Sequence, residues 1–406
     1  MRHICPSPRF QCVAPVLALL CMTGVATAQQ RDTVVFDASV GIATDNNLFR
    51  LPDGVNTQAL IGKPDPSERT TTTVLGMRLD KSYSLQRFKA DVSLIDYKYQ
   101  NFDYLNFTAR NYNAAWLWSL TPRLRGNLSA ERVQRLNSFD DAQNITRRNE
   151  RIIATTRFDG VFDLGGAWRA LGGVVRSKET NQQTVVADAD YSANSANVGM
   201  RYDFASGNSV AYLRKTARGE YLNRTLSNTN LIDDSFDQTT DEVQVRWRFS
   251  GSNLVELNAA QVKRSHPHFG QRDYSASSGG VKVNWALTPK TMLVTELARE
   301  LGSYQTANTN YTQTDRVTIG PVWQLSPKTV MSLSYAVARR DYLGTPSNLT
   351  ASQRSDDTST TVLKLQWQPY PSTSISASVQ NSSRSSNQNN LDFNSNTAQI
   401  SAQFSY

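Results

Sequence analysis

Residues 242–253 read Glu242-Val243-Gln244-Val245-Arg246-Trp247-Arg248-Phe249-Ser250-Gly251-Ser252-Asn253. Val243, Val245, Trp247 and Phe249 alternate with Glu242, Gln244, Arg246 and Arg248. Successive side chains of a strand point to opposite faces, so this period of two describes a strand with one apolar and one charged face. Ser250-Gly251-Ser252-Asn253 then supplies the residue types that a tight reversal favours. The unit is one arm of a β-hairpin.

The same unit recurs about every forty residues. Tight turns are expected at Leu79-Asp80-Lys81-Ser82, Leu120-Thr121-Pro122-Arg123, Asp163-Leu164-Gly165-Gly166, Ala205-Ser206-Gly207-Asn208, Ser250–Asn253, Leu287-Thr288-Pro289-Lys290, Leu325-Ser326-Pro327-Lys328 and Gln368-Pro369-Tyr370-Pro371. Alternation resumes around them: Val281, Val283 and Trp285 against Lys282 and Asn284, and Met331, Leu333, Tyr335 and Val337 against Ser332, Ser334 and Ala336. Eight hairpins, a first strand near Val34–Ala43 and a last near Ala398–Tyr406 make eighteen strands. Longer polar connections lie between the repeats, at Asn46–Glu68, Asn137–Asn149, Lys178–Asp190, Arg218–Asp237, His266–Asp273, Gly302–Thr314, Asp341–Asp356 and Ser382–Asn394.

Composition selects among all-β architectures. Hydrophobic residues make up 39% of the chain, below the roughly 45–50% of globular domains. No apolar run approaches the eighteen residues of a membrane helix; Ala114-Ala115-Trp116-Leu117-Trp118 is typical of the longest in the mature chain. A transmembrane barrel needs apolar residues only on its lipid face, so the expected fold is an antiparallel transmembrane β-barrel of about eighteen strands, with short periplasmic turns and long extracellular loops. The even strand count puts both termini in the periplasm. Trp118, Phe162, Phe204, Trp247, Trp285, Trp323 and Trp367 all fall a few residues before a tight turn, in the outward phase, where a membrane barrel places its aromatic girdle. Trp116 and Trp168 also lie near turns.

The first 28 residues read as a secretory leader: Arg2 and Arg9, an apolar stretch from Val13 to Val25, and Ala26-Thr27-Ala28 before a cleavage at Gln29. Leu20 stands before Cys21 where a lipoprotein leader needs a small residue. Cys5, Cys12 and Cys21 all fall inside the leader, so the barrel domain, 29–406, carries no thiol, as suits an oxidising compartment. Losing Arg2 and Arg9 takes 43 basic residues to 41 against 35 acidic, a net charge of +6. These charges are dispersed, which argues against nucleic acid.

Two terminal motifs stand out. The chain ends on an alternating strand whose outward set is Ala398, Ile400, Ala402, Phe404 and Tyr406. An aromatic end on such a strand resembles the signal read by the barrel assembly machinery, with Phe404 and Tyr406 as its elements. After the first strand come Asp45, Asn46, Asn47, Leu48, Phe49 and Arg50, then Leu51-Pro52-Asp53-Gly54. This opening, with the chain length and hairpin rhythm, resembles the EpsL-like family of outer-membrane barrels from exosortase-associated exopolysaccharide clusters. The resemblance implies a part in making or exporting a polysaccharide, with exopolysaccharide and other export proteins as partners. The residues alone imply a strand-to-loop turn with Leu48 and Phe49 against the barrel mouth.

Chemistry-bearing groups are sparse. His266 and His268 form Ser-His-Pro-His-Phe on an outer loop, where a solvated pair outweighs a metal site. Asp140-Asp141, Asp233-Asp234, Asp356-Asp357, and Asp188 with Asp190, have the chemistry to take Ca²⁺ or bridge lipopolysaccharide, although ordinary solvation accounts for them. No nucleophile–base grouping stands out, so neither an enzyme nor a cofactor is expected. The expected surroundings are outer-membrane lipid and lipopolysaccharide. Arg78, Arg201, Arg246, Lys282 and Lys364 fall in the inward phase, a few residues before periplasmic turns, and form an expected cationic ring in the lumen. Arg246 faces Glu256 and Lys282 faces Glu296 across their hairpins, whereas Arg78 and Arg201 have no evident acid opposite. Three functions follow as expectations: a polysaccharide-export component, a passive porin whose Asn46–Glu68 loop constricts the lumen, or a barrel displaying an adhesin or enzyme.

Overall fold

The computed structural model describes residues 33–140, 146–183, 189–228, 231–306, 309–344 and 353–406. Its first six strands are β1 (Thr33–Asp45), β2 (Glu68–Tyr83), β3 (Gln86–Tyr99), β4 (Phe107–Thr121), β5 (Leu124–Leu136) and β6 (Glu150–Gly165). Then come β7 (Trp168–Asn181), β8 (Tyr191–Asp203), β9 (Ser209–Tyr221), β10 (Ser235–Arg248), β11 (Leu254–Ser265) and β12 (Tyr274–Thr288). The last six are β13 (Thr291–Thr306), β14 (Thr309–Ser326), β15 (Thr329–Leu343), β16 (Ser355–Tyr370), β17 (Thr373–Ser386) and β18 (Phe393–Ser405). Each pairs antiparallel with its neighbours in sequence, and β1 pairs with β18 from Asp37↔Ser405 to Asp45↔Thr397. Phe36 and Tyr406 exchange both backbone hydrogen bonds, each 2.8 Å, so the seam runs to the last residue. The protein is a closed eighteen-stranded barrel. Closure leaves no unpaired edge in the ring.

Outward and inward positions alternate as the period of two requires. Phe36, Leu75, Val92, Val198, Val243, Ile319, Val379 and Ile400 are exposed on the outer wall, where lipid covers them. No helix among the described residues is long and apolar enough to cross a membrane.

Seven of the expected turns fall within a residue or two of their quoted positions. The first does not. The β2–β3 reversal is at Ser84-Leu85, with Ser84 at φ +52°. Asp80 and Lys81, which looked like turn residues, are paired in the ladder opposite Lys89 and Phe88. The Asp80 carboxylate holds the Arg87 guanidinium through two bonds of 2.7 and 2.6 Å, which favours continuing the hairpin.

The seven girdle positions all lie in the outward phase, and Phe204 meets Trp247 edge-on at 5.7 Å. Phe162, Phe204, Trp247, Trp285 and Trp367 are exposed and Trp323 half-buried. Trp118 departs from the expected role. It is only 7% exposed, because its indole lies along a row of small residues, Gly126↔Gly160↔Gly172, that crosses β5, β6 and β7. A Cβ added at Gly126 would meet the indole at 2.4 Å. Phe158 stacks on the indole, with ring centroids 5.5 Å apart. Trp118 fills a notch in the outer wall.

Candidate functional site: the lumen and its mouth

The inward side chains divide the lumen laterally. One wall, from β16 through β18, is mostly hydroxyls and amides below the rim residues Asp356 and Arg384. Ser376 and Ser401 are joined at 2.8 Å, Gln366 donates to Ser374 at 3.2 Å, and Gln380 donates to Ser382 at 2.9 Å. At its periplasmic end Ser405 donates to Asp37 at 2.6 Å. Between Thr358 and Gln368 on β16, Lys364 is the only charged inward residue.

The remaining wall is charged and largely self-neutralised. Arg151 pairs with Glu179 at 2.6 Å, Arg169 with Asp163 at 3.0 Å, Arg246 with Glu256 at 3.8 Å and Arg316 with Glu300 at 3.4 Å. Lys215 pairs with Glu242. Such cross-strand pairs contribute only about 0.2–1 kcal/mol each. Their main effect is to cancel the field of each cation within a few ångströms.

The five residues of the expected cationic ring all point inward, but the arrangement differs from the expectation in two ways. Arg78 and Arg201 do have acids. Arg78 bonds Asp37 through Nε and Nη2 at 2.6 and 2.7 Å, and Arg201 bonds Asp203 at 2.7 and 3.1 Å. Asp37 lies diagonally across the β1–β2 ladder, and Asp203 is two residues along the same inward face. The five cations also occupy two tiers. Arg201 and Arg246 stand two residues from their strand ends, whereas Arg78, Lys282 and Lys364 stand five or six away. That stagger is roughly 10–13 Å along a strand. Lys282 faces Glu256 and Glu296 in the ladder, and Lys364 faces Ser332 and Ser378.

Loops pack over the extracellular rim. Asp45 caps the turn that follows β1, accepting from the Asn47 N–H at 2.9 Å and the Ser395 hydroxyl at 2.8 Å. The Asn47 side chain bonds both backbone groups of Leu51, at 2.8 and 2.9 Å, and the Asn394 carbonyl at 3.0 Å. Arg50 sits at φ +56°, an uncommon conformation for a residue with a Cβ. Its guanidinium holds it there, bonding Asp45 at 2.8 Å and Asp140 at 3.1 Å. This geometry turns Phe49 inward, where it is fully buried among Leu51, Phe102, Leu105 and Phe139, with Leu48 packed alongside. Glu68 fastens the next loop by accepting from the N–H groups of Arg69, Gln100, Asn101 and Phe102.

Asp140, in the β5–β6 loop, is also gripped through its carbonyl by Arg384 of β17. That strand is six places away around the ring. The β5–β6 loop therefore reaches across the mouth, while the Asn46–Glu68 loop, with its short helix Thr57–Ile61, wedges beside it. The first loop was expected to be the constriction; the reach across the mouth belongs to the third.

Opposite this cap, a second latch joins three more loops. Arg272 is fully buried and donates to the carbonyls of Leu231 and Thr309, at 2.9 and 3.1 Å, and to Asn310 Oδ1 at 2.8 Å. Asp233, also fully buried, accepts from the N–H of His268 at 2.8 Å and lies 3.0 Å from its Nδ1. Burial pushes the Asp233 carboxyl up, but the imidazole and the N–H groups it accepts more than reverse this and hold it below the ordinary value. The hydrogen bond to Asp233 raises His268. His266 is lowered by its own burial and by Arg264. The expected solvated pair is split: His266 is buried and leans toward Asp273, whereas the His268 ring stays solvent-exposed on one side while it packs toward Asp233.

The acidic pairs resolve case by case. Asp233, Asp234 and His268 offer three ligand atoms within 4.8 Å, yet Asp233 is committed to the latch. Asp356 points inward to Arg354, at 2.9 and 2.6 Å, and Asp357 is on the opposite face, so the two share no ligand position. Asp141 and Asp188 lie outside the described residues.

No family model matches the chain, and no curated protein matches it. Solved structures do. Similar chains include three from Pseudomonas aeruginosa: OccK2 (OpdF), with a TM-score of 0.52 and 12% identity over 92% of this chain and 98% of that one; OccK1 (OpdK), 0.51 and 12% over 92% and 99%; and OpdQ, 0.51 and 8% over 93% and 100%. At such identities the likeness is one of fold. The closed barrel, its outward apolar band and its polar lumen define an outer-membrane β-barrel. Its fold is the one these outer-membrane proteins share.

Proposed function

We propose that the protein is a passive channel for small polar solutes, with a preference for neutral or weakly anionic, hydroxyl-rich ones. The neutral wall of β16–β18 carries this reading. Serine, threonine and glutamine side chains can exchange hydrogen bonds with a passing polyol and leave no buried charge unpaired. Barrels of sixteen to eighteen strands enclose an aqueous channel, and the facing wall is neutralised by its own ion pairs. OccK2, of similar fold, was also solved in complex with glucuronate, which accords with this reading.

A second reading, passage of a secreted polysaccharide, draws on the same hydroxyl and amide wall, which would serve a chain of sugars as well as a single one. It also draws on the resemblance of Asp45–Arg50 to the EpsL-like barrels. Proteoliposome swelling distinguishes the two. The passive channel admits neutral mono- and disaccharides at rates that fall with size, and failure to admit them refutes it. Unchanged extracellular polysaccharide in a strain lacking the gene retires the second reading.

A further inference from the structure

Two grooves cross the outer, lipid-facing wall. The larger, 940 Å³, lies over β11–β17, and its rim charge is already satisfied: Arg299 grips Asp315 at 2.6 and 2.8 Å. The smaller, 560 Å³, lies over β6–β10 and is different. Its floor is Ala196, walled by Phe158 and Val174 on one side and Thr216 on the other. Directly above, Arg176, Asn194 and Arg218 form one cross-strand row on β7, β8 and β9. Both arginines are exposed. Neither makes an ion pair or side-chain hydrogen bond among the described residues, although Asp237 stands opposite Arg218 in the ladder.

The height of this row matters. Outward residues on β7 run Trp168, Ala170, Gly172, Val174 and then Arg176; on β8 they run Tyr202, Met200, Val198, Ala196 and then Asn194. Apolar character stops at the row on these two strands, whereas β9 already carries an outward Arg214 four residues deeper, paired with Asp241 at 3.7 Å. Eight residues from Trp168 to Arg176 cover roughly 26 Å of strand, or about 20 Å of membrane depth at a barrel tilt near 40°. The two guanidinium groups therefore stand at the extracellular edge of the hydrocarbon, on strands about 9–10 Å apart. A guanidinium binds phosphate bidentately, and, unlike the outward Arg299 and Arg214, these two have no carboxylate within ion-pair distance among the described residues.

We propose that this groove is a lipopolysaccharide site: a phosphate of lipid A is clamped between Arg176 and Arg218, and one acyl chain lies over Ala196 against Phe158 and Val174. The outer leaflet offers this combination of phosphate and chain at this depth, and the unsatisfied positive pair complements it. The assignment is independent of what the lumen conducts.

The test is titration of the detergent-purified barrel with bis-phosphorylated lipid A, read by native mass spectrometry. Arg176→Ala with Arg218→Ala is expected to weaken binding about a hundredfold, since each charge-assisted contact accounts for about tenfold or more. Removing both phosphates from the lipid should give the same loss in the unaltered protein. Lys98→Ala, an exposed outward cation on β3, well away from the groove, should change affinity less than about twofold. If the double variant fails to show the heat-shifted mobility of a folded barrel, Ala196→Trp replaces it; that change fills the floor, keeps both arginines, and should also abolish saturable binding. Undiminished binding by a folded variant, equal binding of phosphate-free lipid, or equal competition by phosphatidylglycerol each overturns the site.

Discussion

Replacing Phe49 by alanine should loosen the loop cap and leave the barrel intact. The ring is fully buried, with Phe102 edge-on at 4.7 Å and Phe139 tilted at 4.7 Å. Deleting a packed phenyl ring costs about 3–5 kcal/mol. The low end applies here, because the cluster belongs to loops that can partly collapse into the space. About 3 kcal/mol corresponds to roughly a 150-fold rise in the local opening equilibrium. Amide hydrogen exchange in nanodiscs reads it directly: residues 100–106 and 137–140 should exchange about a hundredfold faster, while β10–β16 keep their protection. Unchanged exchange in the second and third loops would refute the cap. A uniform rise in all strands would refute its independence from the barrel wall.

Three further outcomes follow from the same geometry. Lys364 stands in the neutral wall, so Lys364→Glu should move the reversal potential in a salt gradient toward cation selectivity, more than Arg201→Gln does; equal or absent shifts would sink the lateral division of charge. At the second latch, His268 is raised, so its contribution is present below its unfolded pKa and lost as pH rises through the folded one, whereas lowered His266 disfavours the fold on acidification. His268→Gln leaves only the second effect, and the protection of 266–273 relative to the intrinsic exchange rate at each pH should then fall between pH 8 and pH 5 more than in the unaltered protein. Finally, Phe404→Ala with Tyr406→Ala keeps the backbone seam to Phe36 while removing both terminal rings; loss of surface yield is expected if these rings are the assembly signal, and normal yield counts against it.

Much of the barrel could be read from side-chain parity alone. Val243, Val245 and Trp247 against Gln244 and Arg246 specify a half-buried strand wherever they occur, and Pro289-Lys290 or Pro327-Lys328 has few alternatives to a tight turn. The first turn misled because Asp80-Lys81 has turn composition; only the ion pair to Arg87 shows that the hairpin continues. A bond such as Arg78–Asp37 joins residues 41 apart on a diagonal, which parity does not reveal, but Arg201 and Asp203 share one face at a spacing of two, a signal present in the sequence. The glycine row under Trp118 is set by ladder register between strands some 34 and 12 residues apart. Asn47 and Arg50 were legible as a turn, and their grip on Asn394 and Asp140 depends on ring closure.

The most direct test of the central claim is conductance of the purified protein in a planar bilayer. A passive channel gives discrete steps that grow with bulk salt conductivity and diminish reversibly when neutral saccharides small enough to enter the lumen are added. A heat-modifiable, folded protein that inserts yet gives no steps, or steps indifferent to those saccharides, contradicts it.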